Sequence, residues 1–170
     1  MTQVAPLSCP EVTPPPTAAA ATPSAITTRF GEIPLDAAKT LTFTYGLLGF
    51  ADRQRYVLVD TPPPEVAFKL LQSLDDPELA FLVLPLDPTN GPIARADVEA
   101  ACRVLALDPG PLALLGIVTM RREPPAVQFT VNLRAPLLLD TARRIGFQHV
   151  LSNESYSLRE LLPQGDEDVT

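Results

Sequence analysis

The six positions from Leu79 to Leu84 are all apolar, a pattern that suits a strand with both faces covered better than one lying half in water. Just before them, Ser73, Asp75, Asp76 and Pro77 cluster where Asx-type hydrogen bonds and a fixed proline φ turn a chain back on itself. The stretch therefore predicts a hairpin whose return limb is a central strand, running out at Pro85. Around it the period is two. Thr40, Thr42 and Thr44 alternate with Leu41, Phe43 and Tyr45, which predicts a strand with one wet face, and Val127, Phe129 and Val131 alternate with Gln128, Thr130 and Asn132, which predicts a strand over Val127–Leu133. Further strands are predicted over Arg55–Asp60, Val66–Gln72, Leu112–Met120 and Gly146–Leu151. Thr27–Leu35 (TTRFGEIPL) predicts another, interrupted by a bulge or close approach at Gly31. Pro136 opens a strand PLLLD, where a missing N–H does least harm. Arg121–Pro125 reads as an exposed basic hairpin tip, and Ser155–Arg159 as a closing strand or the start of a short terminal helix.

A period of 3.6 occurs in one place. Val98, Ala101, Cys102 and Leu105 share a helical face opposite Arg95, Glu99 and Arg103, which predicts a helix over Ile93–Leu107 with a Glu99–Arg103 pair, stopped by Asp108-Pro109-Gly110-Pro111. About nine short strands and one inserted helix give a mainly β fold. An antiparallel β-barrel-like domain is preferred to a sandwich, because closure removes strand edges. The flanks differ in composition. Residues 1–24 are rich in Pro, Ala and Thr and predict a disordered, partly polyproline leader, residues 25–163 the folded body, and residues 164–170 an acidic tail.

Within the body, Gly46-Leu47-Leu48-Gly49-Phe50 stands out. Two glycines so close predict backbone at positive φ in a tight corner, and Leu47, Leu48 and Phe50 cannot then all enter one core. At least one must fold under the turn or stay exposed.

Composition narrows the function. A formal charge of −7 and a pI near 4.6 argue against direct nucleic-acid binding, where Lys and Arg supply most of the affinity, and favour protein partners, basic ones gaining from steering. Twenty prolines disfavour long helices. Two cysteines make no disulfide framework, and no signal-peptide core or run of ~20 apolar residues is present, so a reduced cytoplasm and no membrane attachment are expected. Leu7-Ser8-Cys9 lacks the hydrophobic stretch that a lipoprotein signal needs.

The search for catalytic chemistry ends early. The single histidine, His149, has no cysteine at metal-ligand spacing, and Asp75-Asp76, which a paired-carboxylate mechanism would need on converging vectors, sits in turn grammar. No GxSxG, GxxxxGK[ST], HExxH or GxGxxG is present, so no enzyme activity and no cofactor or metal are expected. The aromatics Tyr45, Phe50 and Tyr56 near the glycine corner suit either a partner surface or the barrel core. A small-ligand-binding or enzymatic barrel of unknown substrate is the alternative, and it requires a deep polar pocket around His149 and a clustered acid.

Several of these segments, in order and well spaced, resemble the FliW family of flagellar assembly factors: TTRFGEIPL, FTYGLLGFADRQRYVLV, LQSLDDPELAFLV, NLRAPLLLD and QHVLSNESYSLR. The resemblance runs from about Thr27 to Leu162. It implies a monomeric, non-catalytic barrel that binds the translational regulator CsrA, a basic RNA-binding dimer, and also binds flagellin, so that flagellin translation is coupled to flagellum assembly. It implies partner contacts among Phe50 and Tyr56 beside the corner, Asp75 and Asp76 in the turn, and Asn132 and Tyr156 in the later motifs. The chain departs from the family pattern in its proline-rich leader and in Asp87–Pro111, which is rich in proline and alanine where many members are more acidic and aromatic.

Overall fold

A computed structural model describes residues 25–29, 31–61, 68–124 and 126–163; the leader and the acidic tail lie outside the described residues. Strands β1 (Ala25–Thr28) and β2 (Gly31–Pro34) form a two-stranded sheet in which Thr28 pairs with Gly31. The interruption at Gly31 is thus the return of a hairpin rather than a bulge. A short 3₁₀ turn, Ala37–Lys39, capped by the Asp36 carboxylate accepting from the Ala38 N–H at 2.8 Å, leads into the main sheet.

That sheet comprises β3 (Thr40–Phe43), β4 (Arg55–Asp60), β5 (Lys69–Ser73), β6 (Ala80–Leu86), β7 (Leu112–Glu123), β8 (Ala126–Asp140), β9 (Ile145–Gln148) and β10 (Glu160–Leu161). From β3 to β8 each strand pairs antiparallel with the next, β9 pairs antiparallel with β8, and a parallel β3–β9 contact shuts the ring. Seven strands close a barrel, and β10 adds to β8 outside the closure.

The unbroken apolar run of β6 has a direct cause in this arrangement. Phe81 and Val83 join Phe43, Tyr56, Leu71, Leu115 and Leu137; side chains from this many strands of a closed ring can meet only inside it. Leu82, Leu84 and Leu86 point the other way, into a second cluster with Ile93, Val98, Ala101 and Cys102. These last residues belong to the helix α1 (Arg95–Leu105) and the segment leading into it, which cover that outer wall. Each of the large side chains fully buried in either cluster contributes roughly 1.5–3 kcal/mol of transfer free energy.

Elsewhere the chain differs from its sequence pattern for local reasons. The ladder of β6 runs past Pro85, which pairs with Leu115, to Leu86. The two strands expected around Pro136 are one, because β8 continues through a wide irregularity: Ile117 pairs with Asn132, but Leu115 pairs with Leu137. Pro136 lies in the excursion, outside the β7 ladder, so its missing N–H breaks no β7–β8 bond. The β7–β8 ladder reaches Glu123 and Ala126, which puts Arg121 and Arg122 in strand rather than at the tip. The helix is two residues shorter at each end than its pattern suggests. Ala106 adopts a left-handed cap at φ 53° and Leu107 donates to the Cys102 carbonyl at 2.9 Å, ending it before the proline cluster. Glu99 pairs with Arg95 at 2.7 Å rather than with Arg103. Ser155–Arg159 is neither strand nor helix, and the closing strand is the pair of residues after it. His149 lies just beyond β9, its N–H donating to the Pro136 carbonyl at 3.1 Å.

Candidate protein-docking corner

Strand β3 stops at Phe43 because the chain turns at once, the Gly46 N–H donating to the Phe43 carbonyl at 2.8 Å. Gly46 (φ 63°) and Gly49 (φ 85°) both take left-handed backbone, and a Cβ on Gly46 would run into the Phe50 carbonyl. The result is a corner in which Leu47 goes under the turn into the barrel, 2% exposed, while Leu48 is 60% and Phe50 37% exposed. Tyr45, at the entrance, is 76% exposed. Phe50 rests edge-on against Phe81 with ring centroids 5.3 Å apart, and Tyr45 lies 6.2 Å from Phe147.

Two side chains from distant sequence hold this shape. The Gln148 Oε1 accepts from the Leu48 N–H at 2.8 Å, and its Nε2 donates to the Ala135 carbonyl at 3.3 Å. On the other flank Asp75 reaches from the β5–β6 turn. Its Oδ2 accepts from the N–H groups of Gln54 and Arg55, both at 2.8 Å, and its Oδ1 from the Arg55 Nε at 2.7 Å. Burial pushes this carboxyl's pKa upward, but the Arg55 and Gln54 backbone donors and the Arg55 guanidinium outweigh it, so Asp75 ionises below the usual carboxylate range. The turn is itself fastened inside. The Ser73 Oγ accepts from the Asp75 and Asp76 N–H groups, Asp76 Oδ1 accepts from the Glu78 N–H at 3.1 Å, and the buried Gln72 amide donates to the Leu79 carbonyl at 2.9 Å.

Phe50, Tyr56, Asp75 and Asp76 therefore meet at one end of the barrel. Tyr56 is enclosed, with no exposed surface, between Phe43 and Phe81; its hydroxyl has no hydrogen-bond partner among the described residues. Burial, then the nearby Asp75 charge, pushes its pKa up to about 12. A partner cannot reach it without opening the barrel. Asp76 lies 3.5 Å from the Arg53 Nε, and Arg53 also pairs with Asp52. Asn132 joins the corner indirectly: its Oδ1 accepts from the Ala135 N–H at 3.0 Å, stabilising the β8 excursion whose Ala135 carbonyl receives Gln148. No sequence pattern singles out Gln148. Leu48 and Tyr45, by contrast, were marked by the glycine corner itself.

Tyr156 is elsewhere. Its hydroxyl donates to Asp97 Oδ2 at 2.6 Å and accepts from the Ala94 N–H at 2.9 Å, while the Asn153 amide donates to the same Asp97 oxygen at 3.2 Å. The tyrosine thus closes the N-terminus of α1, where Ala94 offers no capping side chain. The Tyr156 and then the Asn153 hydrogen bonds hold the Asp97 carboxyl below its ordinary range.

Acid–base chemistry finds little here. Asp75 is committed to three donors and Asp76 to a backbone N–H and an arginine, so neither carboxylate is free to shuttle a proton. Among the described residues no three His, Cys, Asp or Glu side chains are grouped to hold a metal. The groove between the β1–β2 hairpin and the barrel wall, about 590 Å³, is lined by Ile33, Val59, Leu70, Leu82 and Val118 with Arg29, Glu32 and Asp60 at its edge; His149 does not line it. Among the described residues no helix is long and apolar enough to cross a membrane.

Comparison with known proteins agrees with the fold. The family model for FliW protein matches residues 24–162. The flagellar assembly factor FliW of Geobacter sulfurreducens is 37% identical over 134 residues, covering 78% of this chain and 82% of that protein. That of Bdellovibrio bacteriovorus is 36% identical over 138 residues, covering 79% and 75%. A crystal structure of the flagellar assembly factor FliW superposes with a TM-score of 0.65 at 26% identity, covering 83% of this chain and 99% of the other.

Proposed function

The chain belongs to the FliW family of flagellar assembly factors, and from that premise we propose that it works in the cytoplasm by binding proteins rather than by catalysis. It sequesters the translational regulator CsrA, and newly made flagellin captures it and releases CsrA, so that flagellin synthesis follows assembly. The observation that carries this reading is the corner itself. Three large apolar side chains, Tyr45, Leu48 and Phe50, are held toward solvent on backbone that two glycines and two long-range side chains make rigid. The parts of these side chains left in water stabilise nothing in the isolated protein, and a preformed aromatic surface is what a partner needs to bind with little ordering cost.

Of the six residues implied by resemblance, Phe50 and Asp76 are accessible at the corner. Asp75, Asn132 and Tyr156 act through the backbone they hold, and Tyr56 as core. Calorimetric titration of the purified protein with CsrA, and separately with a C-terminal flagellin fragment, tests the function. The reading predicts binding to both, with either partner reducing the apparent affinity for the other; binding to neither overturns it.

A further inference from the structure

The chemistry around the corner specifies what kind of segment fits it. Within residues 45–55 and 74–79 there are four carboxylates, Asp52, Asp75, Asp76 and Glu78, and two guanidiniums, Arg53 and Arg55. Both arginines are already paired with these carboxylates: Arg53 pairs with Asp52 and lies beside Asp76, and Arg55, its side chain 62% exposed, pairs with Asp75, so two of the four negative charges are left uncompensated. Glu78 has no ion pair among the described residues, and the Asp52 side chain is 75% exposed. The patch is thus an apolar centre, Tyr45, Leu48 and Phe50, inside a rim with a surplus of negative charge. A docking surface with this anatomy takes its affinity from the anchors at the centre and its selectivity from the sign of the rim.

We propose that this corner docks a basic amphipathic segment of a protein partner, whose apolar face covers Leu48 and Phe50 while its lysines or arginines face Asp52, Asp76 and Glu78. The assignment rests on the protein-binding function above, and CsrA serves as its probe.

The experiment measures CsrA binding by calorimetry and surface plasmon resonance at two salt concentrations, on the full chain. Leu48→Ala with Phe50→Ala is expected to raise Kd at least tenfold, mostly through faster dissociation. Tyr45→Ser with Leu48→Ser tests the same surface without touching the Phe50–Phe81 packing, and is expected to weaken binding similarly while lowering the thermal midpoint only by what the Tyr45–Phe147 ring contact contributes. Asp52→Lys with Glu78→Lys is expected to slow association several-fold and to flatten its salt dependence. Leu158→Ala, an exposed leucine distant in sequence from the corner, is expected to change Kd less than twofold. Wild-type binding with all three corner variants within twofold of it overturns the docking assignment alone. Weakening by the apolar pairs with no effect of charge reversal overturns the basic character of the segment. Wild-type protein that binds neither CsrA nor flagellin overturns the functional reading, and this assignment with it.

Discussion

The glycine corner and the helix junction solve the same problem with opposite results. Each is a stretch of irregular backbone fastened by one aspartate that gathers several donors: Asp75 takes the Gln54 and Arg55 N–H groups, and Asp97 takes Tyr156 and Asn153. At the junction the fastening presses Ile93, Val98, Ala101 and Cys102 onto the barrel wall, and the apolar side chains disappear. At the corner the fastening leaves Tyr45 and Leu48 mostly in water and Phe50 partly so. Rigidity at the junction stabilises the fold; at the corner the same rigidity keeps apolar side chains in water, on the surface proposed above to take a partner.

The sharpest way to break the contrast is to unbuild the corner. Gly46→Ala places a side chain in left-handed backbone and against the Phe50 carbonyl, and is expected to cost about 3 kcal/mol in urea unfolding. Gly49→Ala has the same backbone strain but open space around it, and should cost only ~1 kcal/mol. Equal losses would mean that the close approach at Gly46 is not what sets the corner.

Asp75→Ala removes the acceptor of two backbone N–H groups and of the largely exposed Arg55 guanidinium, and should cost roughly 1–2 kcal/mol. Because the folded carboxyl ionises below its unfolded range, its contribution is complete above about pH 4 and is lost as pH falls through the folded value. Asp75→Asn should therefore lose stability less steeply than wild type on acidification below about pH 4, measured as urea midpoints against pH.

The matching change at the junction is smaller. Tyr156→Phe removes the acceptor for the Ala94 N–H and one donor to Asp97, and should cost about 1 kcal/mol. It should leave CsrA affinity unchanged, which separates it from any corner variant. The smallest effect is expected at Tyr56→Phe. Its hydroxyl is buried without a partner among the described residues, so removing it should shift neutral-pH stability by less than about 1 kcal/mol. With a folded pKa near 12 against ~10 unfolded, Tyr56 contributes stability that is complete below pH 10 and fades as pH rises toward 12. The variant should lose that alkaline slope.

What the sequence reveals follows the range of the interactions. The apolar run of β6, the alternation in β3 and the helical face of α1 are local periodicities, and each appears where it was expected, whereas the alternation in β8 fails at its outer end, where Val127 is exposed. The corner was also legible, because two glycines three apart constrain the backbone whatever surrounds them. Contacts between distant segments were not. Gln148 meets Leu48 one hundred residues away in the chain, and Asp75, which reads locally as a turn residue, does most of its bonding twenty residues upstream. Tyr56 looked like its neighbour Phe50 in the sequence, since an aromatic residue carries no local mark of which side of a closed ring it faces.

The account turns on which end of the molecule a partner covers, and amide hydrogen exchange of the protein alone and saturated with CsrA measures this directly. Slowed exchange across residues 46–52 and 74–79, with no change at residues 153–159, is the predicted result. Protection confined to residues 153–159 and the start of α1, with the corner exchanging as in the free protein, would contradict it.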